Sequence, residues 1–250
     1  MKTILSTLKI ITALFLTTMS APQLVVGQAS SEGTVEINRS QILVEDILTE
    51  EEQKALTPLE VLNSLSAGNE RFVKNDLTAR DHSIQIRESA DSQFPKAIVL
   101  SCVDSRVPVE DVFDKGIGDI FVARVAGNFI NDDILGSMEF ATKVAGAKLI
   151  LVMGHENCGA IHGAIDGAEL GHITKMLENI KPAVEMSNKS EGPRTSNNRL
   201  LVHEVSENNV RYALEKIKKD SPLLKTMFEN GEIDIKGAVY DMDTGVVNFL

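Results

Sequence analysis

The sequence predicts an α/β fold with a mostly parallel central β-sheet flanked by helices. Three runs of strand length, 97–100, 120–125 and 149–153, are apolar except for Arg124 and indicate strands that are covered on both faces. Between the second and third runs, apolar residues recur at helical spacing over 132–145. This strand, helix, strand order favours parallel strands joined by right-handed crossovers.

The predicted domain opens with a helix signal at Thr57. The sequence Thr57-Pro58-Leu59-Glu60 places a hydroxyl cap, a proline at the first helical position and a glutamate at the third, as a capping box requires. We expect a helix from there to about Val73. Its predicted buried stripe is Leu59, Leu62, Leu65 and Phe72.

Further helices and a C-terminal hairpin complete the predicted domain. Helical spacing over 132–145 comes with an expected cap at Asp132 or Asp133, and its predicted buried side chains are Ile134, Leu135, Met138, Phe140, Ala141 and Val144. Two more helices are expected over 169–186 and 197–219, joined by a loop rich in Ser, Asn, Gly and Pro. Segments 235–240 and 246–250 flank Asp-Thr-Gly, which predicts a closing antiparallel hairpin.

The N-terminal residues have the pattern of an export signal. Lys2 and Lys9 precede an apolar and hydroxyl run over 10–19, and small residues follow it. We therefore predict a signal peptide over 1–29, a flexible or helical acidic lead-in over 30–56, and one catalytic domain over 57–250. The apolar run is shorter than the about 20 residues of a membrane span. We therefore expect no stable membrane anchor and a mature protein that is periplasmic or secreted. The alternative is that the segment stays uncleaved and acts as an anchor.

The charge balance argues against nucleic acid as a partner. The formal net charge is −11, and removing Lys2 and Lys9 leaves 23 basic and 36 acidic residues, which gives −13. An acidic surface repels a phosphate backbone.

Chemistry-bearing residues follow two of the predicted strands. Cys102, Asp104 and Arg106 follow the first, and His155 and Cys158 follow the third. Ligands of open α/β sheets bind at the carboxyl ends of strands. The spacing of His155 and Cys158 suits two ligands of one tetrahedral zinc, and one crossover unit brings Cys102 beside them. Three protein ligands leave a fourth position for water, while Arg106 can hold Asp104 ionised through a charge-assisted pair.

Two simpler interpretations of these residues stay open. An exported chain with only two cysteines ordinarily forms a Cys102–Cys158 disulfide, but that pairing leaves Asp104, Arg106 and His155 clustered without a reason. A closed structural zinc with Asp104 as its permanent fourth ligand is the other alternative.

Three motifs together resemble the β-class carbonic anhydrases. They are Cys-x-Asp-x-Arg at 102–106, Ala-Arg-Val-Ala-Gly-Asn at 123–128 and Gly-His-x-x-Cys-Gly-Ala at 154–160, and the likeness spans about 95–165. The resemblance implies one Zn²⁺ per subunit on Cys102, His155 and Cys158, with Asp104 and Arg106 as the catalytic dyad. It also implies that the Gln93 side chain and the Gly159 amide bind substrate or anion.

The implied reaction is the reversible hydration of carbon dioxide to bicarbonate and a proton by a zinc-bound hydroxide. Zinc lowers the pKa of its bound water from 15.7 in bulk toward about 7. The resemblance further implies a homodimer or a higher even oligomer, with active sites at the dimer interface. The chain has no Trp, and a bicarbonate-inhibited subgroup of the family is similar in using a Trp at a second anion site, so that pocket is not expected here.

Two other functions suit the same residues. The same zinc hydroxide chemistry suits hydrolysis of a small heterocumulene such as carbon disulfide or carbonyl sulfide, and a non-catalytic zinc-stabilised binding protein predicts metal without turnover. Arg124 and Asn128 are expected to support the loop and the subunit interface, and Gly127 to meet a backbone requirement. His162 is expected on a helix surface and is a weaker candidate for a proton shuttle.

Overall fold

One five-stranded sheet organises residues 47–250, the part of the chain that the computed structural model describes. The strands are β1 (Ala97–Ser101), β2 (Ile120–Arg124), β3 (Leu149–His155), β4 (Asp234–Tyr240) and β5 (Val247–Phe249), in the spatial order β2-β1-β3-β4-β5. β1 is parallel to β2 and β3, and β3 is parallel to β4. β5 runs antiparallel to β4. The predicted α/β class and the closing hairpin are both confirmed.

Helices cover both faces of the sheet. They are α1 (Glu50–Ala55), α2 (Pro58–Val73), α3 (His82–Glu88), α4 (Val109–Val112), α5 (Asp132–Glu139), α6 (Gly159–Asp166), α7 (Gly171–Leu177), α8 (Lys181–Met186), α9 (Arg199–Asp220) and α10 (Pro222–Glu229). Alternate strand residues point to opposite faces. Ile98, Leu100, Ile150 and Val152 therefore pack in one core cluster with Val210, Ala213 and Ile217 of α9. Val99, Leu149, Leu151 and Met153 pack on the other face with Val61 and Leu65 of α2.

Helix α2 begins as predicted, but its buried face is rotated from the predicted one. The Thr57 side chain accepts from the Glu60 N–H, and the Glu60 carboxylate accepts from the Thr57 N–H. Its buried residues are Val61, Leu65, Gly68 and Asn69. Leu59, predicted to be buried, is 63% exposed because it lies on the side of the helix opposite the buried Val61.

The helix predicted over 132–145 changes its hydrogen-bonding pattern halfway. Asn131, rather than Asp132 or Asp133, caps α5 through the Ile134 N–H, and Phe140–Val144 continue as a π-helix. A π turn rotates the following residues relative to a 3.6-residue helix. Leu135, Met138 and Ala141 are buried as predicted, whereas Phe140 is 51% and Val144 72% exposed. The prediction was wrong for these two.

The region predicted as one helix over 169–186 contains two. α7 ends at Leu177, and α8 starts at Lys181 with Pro182 in its first turn. Proline lacks the N–H that a continuous helix would need at that position. The long helix that follows agrees with the prediction, because Asn198 caps α9 at the end of the predicted loop.

Packing starts before the predicted domain boundary at Thr57. Thr49 caps α1 with a capping box of its own. The buried Gln53 side chain donates to the Pro95 and Ala145 carbonyls, both at 2.8 Å. Helix α1 therefore belongs to the packed domain, although we expected that segment to be lead-in.

The predictions for the first 46 residues lie outside the described residues. These are the signal peptide over 1–29 and most of the lead-in. Within residues 47–250, no helix combines the length and the hydropathy that crossing a membrane requires.

Replacing Gly68 with alanine should destabilise the fold. A Cβ at this position of α2 would lie 1.8 Å from the Phe113 carbonyl oxygen, which belongs to backbone and cannot move aside cheaply. Helix propensity alone would favour alanine by about 1 kcal/mol, but overpacking commonly costs about 1–3 kcal/mol or more. We expect a net loss of about 2 kcal/mol in the free energy of unfolding, measured by urea denaturation at fixed protein concentration.

Gly136→Ala is the matched control for Gly68→Ala. Gly136 also lies in a helix, but a Cβ at this position would meet nothing within 4 Å. The stability of this variant should stay unchanged or rise by up to about 1 kcal/mol. Equal stability changes in the two variants would contradict the proposed clash at Gly68.

Candidate metal centre

The pairing of β1 with β3 brings the predicted metal ligands together. The two strands are parallel neighbours, so their carboxyl ends lie side by side. Cys102 comes directly after β1, His155 is the last residue of β3, and Cys158 precedes the first residue of α6. Their three ligand atoms all lie within 4.8 Å of one another, and all three residues are buried.

The two sulfurs are close but not bonded. The Cys102 and Cys158 Sγ atoms are 3.8 Å apart, and both cysteines are free. A disulfide would need about 2.05 Å. Two sulfurs that each lie about 2.3 Å from one tetrahedral zinc are about 3.8 Å apart. The observed separation therefore suits a shared zinc and not a disulfide.

The orientation of His155 leaves one ring nitrogen available as a ligand. Its Nδ1 lies 2.8 Å from the Glu156 carbonyl oxygen, which can only accept, so Nδ1 carries the proton. Nε2 consequently has a lone pair. It is buried and has no hydrogen-bond partner within the described part of the chain. A buried polar atom without a partner costs free energy unless a ligand completes it. A backbone carbonyl on the distal ring nitrogen is also the usual support of a metal-bound histidine.

The two thiols share one proton where a cation would bind. The hydrogen bond from the Cys158 thiol lowers the pKa of Cys102 to about 4. The same hydrogen bond keeps the Cys158 proton in place and raises the pKa of that thiol. A divalent cation can replace this proton and bind both sulfurs as thiolates. The donor set of two thiolates and one imidazole matches the composition of known zinc sites.

An apolar wall surrounds the two cysteines. They belong to a buried cluster built by α6, α7, α8 and α9. The other members of the cluster are Ile161, Ala164, Leu177, Ile180, Ala183, Leu201, Val202 and Val205. Charges interact more strongly where such surroundings exclude water. The apolar wall therefore strengthens the electrostatic effect of a cation bound at this position on the groups around it.

Asp104 lies beside the three ligands and is held by Arg106. The guanidinium donates from Nε to Oδ1 at 2.9 Å and from Nη2 to Oδ2 at 2.8 Å, and the Arg106 backbone N–H also donates to Oδ1. These bonds from Arg106 hold the pKa of Asp104 well below its usual range, although partial burial opposes them. Oδ2 lies 3.8 Å from His155 Nε2. An ionised carboxylate thus faces the ligand cluster.

Arg124 fixes the loop that carries Cys102 and Asp104. From the end of β2 it donates to the Cys102 carbonyl at 2.9 Å, the Asp104 carbonyl at 2.8 Å and the Val107 carbonyl at 2.7 Å. The predicted supporting role of Arg124 toward this loop is visible in these contacts. Its predicted place at a subunit interface stays a prediction.

The structure does not bring Gln93 to the cluster within one chain. Gln93 is exposed and precedes the amino end of β1, whereas the ligands gather at the carboxyl ends of the strands. Gly159, in contrast, opens α6 directly after Cys158. The N–H groups of a first helical turn have no partner inside the helix. The roles of both residues toward substrate stay predictions.

His162 lies on α6 one turn after Cys158. It is half-buried, and its Nε2 has no hydrogen-bond partner among residues 47–250. His162 is therefore more covered than the expected position on a helix surface implies. Its candidate role as a proton shuttle stays a prediction.

One supporting residue was missed from the sequence. Asn209 of α9 is buried and donates to the Gly127 carbonyl at 2.8 Å. The sequence does carry one signal for Asn209. It is an asparagine at a position of α9 that faces the core, one turn from Val205 and one turn from Ala213.

An α/β sheet with a buried Cys₂His group that could hold a metal ion at the carboxyl ends of its strands is the arrangement of a class of α/β metalloenzymes. The family model described as carbonic anhydrase matches residues 97–247. The chain belongs to the carbonic anhydrase family, and within it to the β class.

Relatives and solved structures agree with this assignment. A protein described as carbonic anhydrase 2 from Mycobacterium tuberculosis is 34% identical over 194 residues, which cover 75% of this chain and 90% of the relative. The β-carbonic anhydrase CafA of Aspergillus fumigatus is similar with a TM-score of 0.61 and 25% identity, over 76% of this chain and 90% of that one. The Coccomyxa β-carbonic anhydrase in complex with acetazolamide has a TM-score of 0.60 and 26% identity, over 78% and 86% of the two chains.

Purified protein should contain one zinc per chain, and loss of a ligand should remove it. We expect Cys102→Ser and His155→Ala to weaken zinc binding by at least tenfold. Mutating residues that only support metal ligands already lowers metal affinity about 10–100-fold. Metal analysis after dialysis against a chelator measures this. His172→Ala, at an exposed position of α7, should keep its zinc. Full zinc content in Cys102→Ser would show that the ligand set is different.

Proposed function

We propose that Cys102, His155 and Cys158 hold one zinc ion per subunit and that the chain catalyses the reversible hydration of carbon dioxide to bicarbonate and a proton. One observation carries this proposal. The buried Nε2 of His155, which has no hydrogen-bond partner among residues 47–250, faces two free sulfurs, and an arginine-held carboxylate lies 3.8 Å from that same nitrogen. Three donors leave a tetrahedral zinc one position for water.

When bound, zinc supplies acidification of water, which makes a nucleophile available near neutral pH. The protein residues have to orient that nucleophile and keep competing groups away. Asp104 is suited to the first task because an ionised carboxylate only accepts hydrogen bonds. Its Oδ2 can accept one from the attacking water and so direct the oxygen lone pair at the carbon of carbon dioxide.

Arg106 keeps Asp104 in that role. The Arg106 side chain donates one hydrogen bond to each carboxylate oxygen, and these two bonds fix the plane of the carboxylate. Because the pKa of Asp104 is lowered, the carboxylate stays ionised below the pH at which an ordinary aspartate would begin to bind a proton. The acceptor is thus available across the whole neutral range.

Product binding is assigned to the start of α6. Bicarbonate is an anion, and N–H groups at a helix N-terminus attract anions. Gly159 offers its amide next to the ligand Cys158, and a Cβ at this position would meet nothing within 4 Å, so the approach to its backbone is open. This supports the predicted donor role of the Gly159 amide.

A second copy of the chain completes the proposed site. Gln93 is exposed at the amino end of β1, so its side chain can reach a substrate only in another subunit. The outer edge of β2 is unpaired within the described residues, and its first four side chains are only half-buried. An exposed apolar edge strand favours cover by another chain. We therefore propose a homodimer or a higher even oligomer.

We also propose that the enzyme is exported. The support for export is the basic start, the apolar run and the small residues within 1–29.

Asp104→Asn should abolish most of the turnover while leaving the metal in place. The amide keeps the size of the carboxylate but cannot act as an ionised acceptor on both oxygens, and such groups contribute about 10²–10⁴-fold. Stopped-flow carbon dioxide hydration on zinc-loaded protein measures the loss. Asp220→Asn, an exposed carboxylate at the far end of α9, should retain wild-type turnover. Wild-type protein that holds zinc but does not hydrate carbon dioxide between neutral and mildly alkaline pH would leave a zinc-stabilised binding protein instead.

Gln93→Ala and Cys102→Ser chains should complement each other when they form mixed dimers. If Gln93 acts across the interface, the Gln93→Ala subunit receives an intact Gln93 from its Cys102→Ser partner, and one of the two sites is complete. We expect the Gln93→Ala homodimer to lose roughly tenfold in turnover, the worth of one hydrogen bond of about 1.4 kcal/mol. Mixed dimers, separated by two affinity tags, should then exceed both parent homodimers. Mixed dimers with half the turnover of Gln93→Ala would place Gln93 outside the partner's site.

A further inference from the structure

The end of β2 folds into a turn that faces the Cys102 sulfur. The Asn128 N–H donates to the Val125 carbonyl at 2.9 Å, and Gly127 has φ +82° at the third position. These are the features of a type II turn, which favours glycine there. A Cβ on Gly127 would also lie 2.5 Å from Ile180 Cδ1. From this turn, the Gly127 N–H donates to Cys102 Sγ at 3.3 Å.

Asn209 holds the same turn from its other side. Its Nδ2 donates to the Gly127 carbonyl at 2.8 Å across 82 positions of sequence. Both polar groups of Gly127 are therefore engaged, the carbonyl by Asn209 and the N–H by the sulfur. The Asn128 N–H and the Gly127 carbonyl belong to one peptide plane, so the turn closure and Asn209 fix that plane together. The Gly127 N–H belongs to the preceding peptide plane, which joins the fixed one at the Gly127 Cα and donates to the sulfur.

Burying the Asn209 amide costs more free energy than burying an apolar side chain that only fills space in the core. Asn209 is 1% exposed, and its Oδ1 has no hydrogen-bond partner among residues 47–250. An amide group buried without full hydrogen bonding costs about 1–3 kcal/mol. The neighbouring part of α9 lies tight against β3, since a Cβ on Gly154 would be 2.9 Å from Val210 Cγ2. A leucine has a similar size but cannot donate a hydrogen bond. The N–H donor is therefore what distinguishes Asn209 from an apolar residue at this position.

Hydrogen bonds to a metal-bound thiolate change the metal. An N–H donor withdraws charge from the sulfur, so the sulfur gives less charge to the cation and the cation remains the stronger Lewis acid. The backbone N–H groups of Ile161 and Ala160 at the start of α6 favour the thiolate form of Cys158. Cys102 follows a strand, and the backbone N–H groups of Gly127 and Asp104 have that effect on it. The Gly127 N–H is the one of these two that forms a hydrogen bond to the sulfur, at 3.3 Å.

We propose that Asn209 is a positioning residue for the metal centre, which acts through Gly127 to aim an N–H donor at the Cys102 sulfur and so limits the charge this ligand gives to zinc. The proposal rests on the proposed function only in taking Cys102 as a metal ligand. The simpler alternative is that Asn209 merely satisfies the Gly127 carbonyl, in which case its loss changes stability and leaves the metal–sulfur bond as it was.

Cobalt-loaded protein distinguishes the two roles without any measurement of turnover. Cobalt(II) bound to thiolates has sulfur-to-metal charge-transfer bands in the near ultraviolet. Loss of the N–H donor raises the energy of the sulfur electrons, so Asn209→Leu and Asn209→Ala should shift these bands to longer wavelength. Ser206→Ala is the matched control, because Ser206 is a buried polar residue of the same helix. Its hydroxyl donates to the Val202 carbonyl of that helix, which is its one hydrogen bond within residues 47–250. Its bands should match those of the wild type.

Folded Asn209 variants with wild-type bands, or an equal shift in Ser206→Ala, would overturn the proposal. A wild type without any charge-transfer band would instead remove the assignment of Cys102 and Cys158 as ligands, so the two failures are distinguishable. A measurement on the unaltered protein covers variants that do not fold. In wild-type protein loaded with ¹¹³Cd, the Gly127 amide proton should show scalar coupling to cadmium through the hydrogen-bonded sulfur. Absence of that coupling in a spectrum where the Gly127 amide is resolved would also overturn the proposal.

Discussion

The parallel pairing of β1 with β3 is the constraint on which the metal centre depends. Ala97 pairs with Leu149 and Leu100 with Val152, so the residues that follow each strand emerge at the same edge of the sheet. A shift of one residue in this register would turn every side chain of one strand to the opposite face. Such a shift would separate both core clusters from the helices that pack on them. It would also move Cys102 away from His155. The hydrophobic core therefore fixes the geometry of the site, since its burial specifies the register.

Polar support at the site then compensates the cost of burying its charges. Arg106 binds the Asp104 carboxylate at two oxygens, and Arg124 binds three carbonyls of the same loop. Charged groups near an apolar wall are stable only when they are paired and hydrogen-bonded. Several buried polar atoms have no hydrogen-bond partner among the described residues, and His155 Nε2 is the one that lies within 4.8 Å of two cysteine sulfurs. A cation bound between these three atoms would satisfy it, which an ordinary buried network does not require.

The sequence predicted the sheet and the clustering of Cys102, His155 and Cys158 better than the helix faces. Aliphatic runs and loop motifs are local signals, so β1, β2, β3 and the positions of Cys102, His155 and Cys158 follow from short stretches of chain. Phe140 and Val144 lie in the π-helix and are exposed although both are apolar, and apolar spacing alone does not show which of such residues face the core. Leu59 illustrates a second limit, because periodicity does not settle which face of α2 turns toward the core. Gln93 shows a third, since one chain does not bring it to the cluster and its proposed role requires a second chain.

Support from distant parts of the chain is the least predictable feature of the site, for a physical reason. Motifs record the groups that touch the metal and substrate, and these must be of fixed chemical type. Asn209 contributes only one N–H donor, 51 positions after Cys158, to a carbonyl that any suitable donor could satisfy. What constrains it is the type II turn at Gly127, which has to present its N–H to sulfur while its carbonyl is buried. The asparagine on α9 thus answers a requirement created by the Ala-Arg-Val-Ala-Gly-Asn segment at 123–128. The support of Cys102 therefore becomes visible only in the folded chain, where α9 contacts the turn that follows β2.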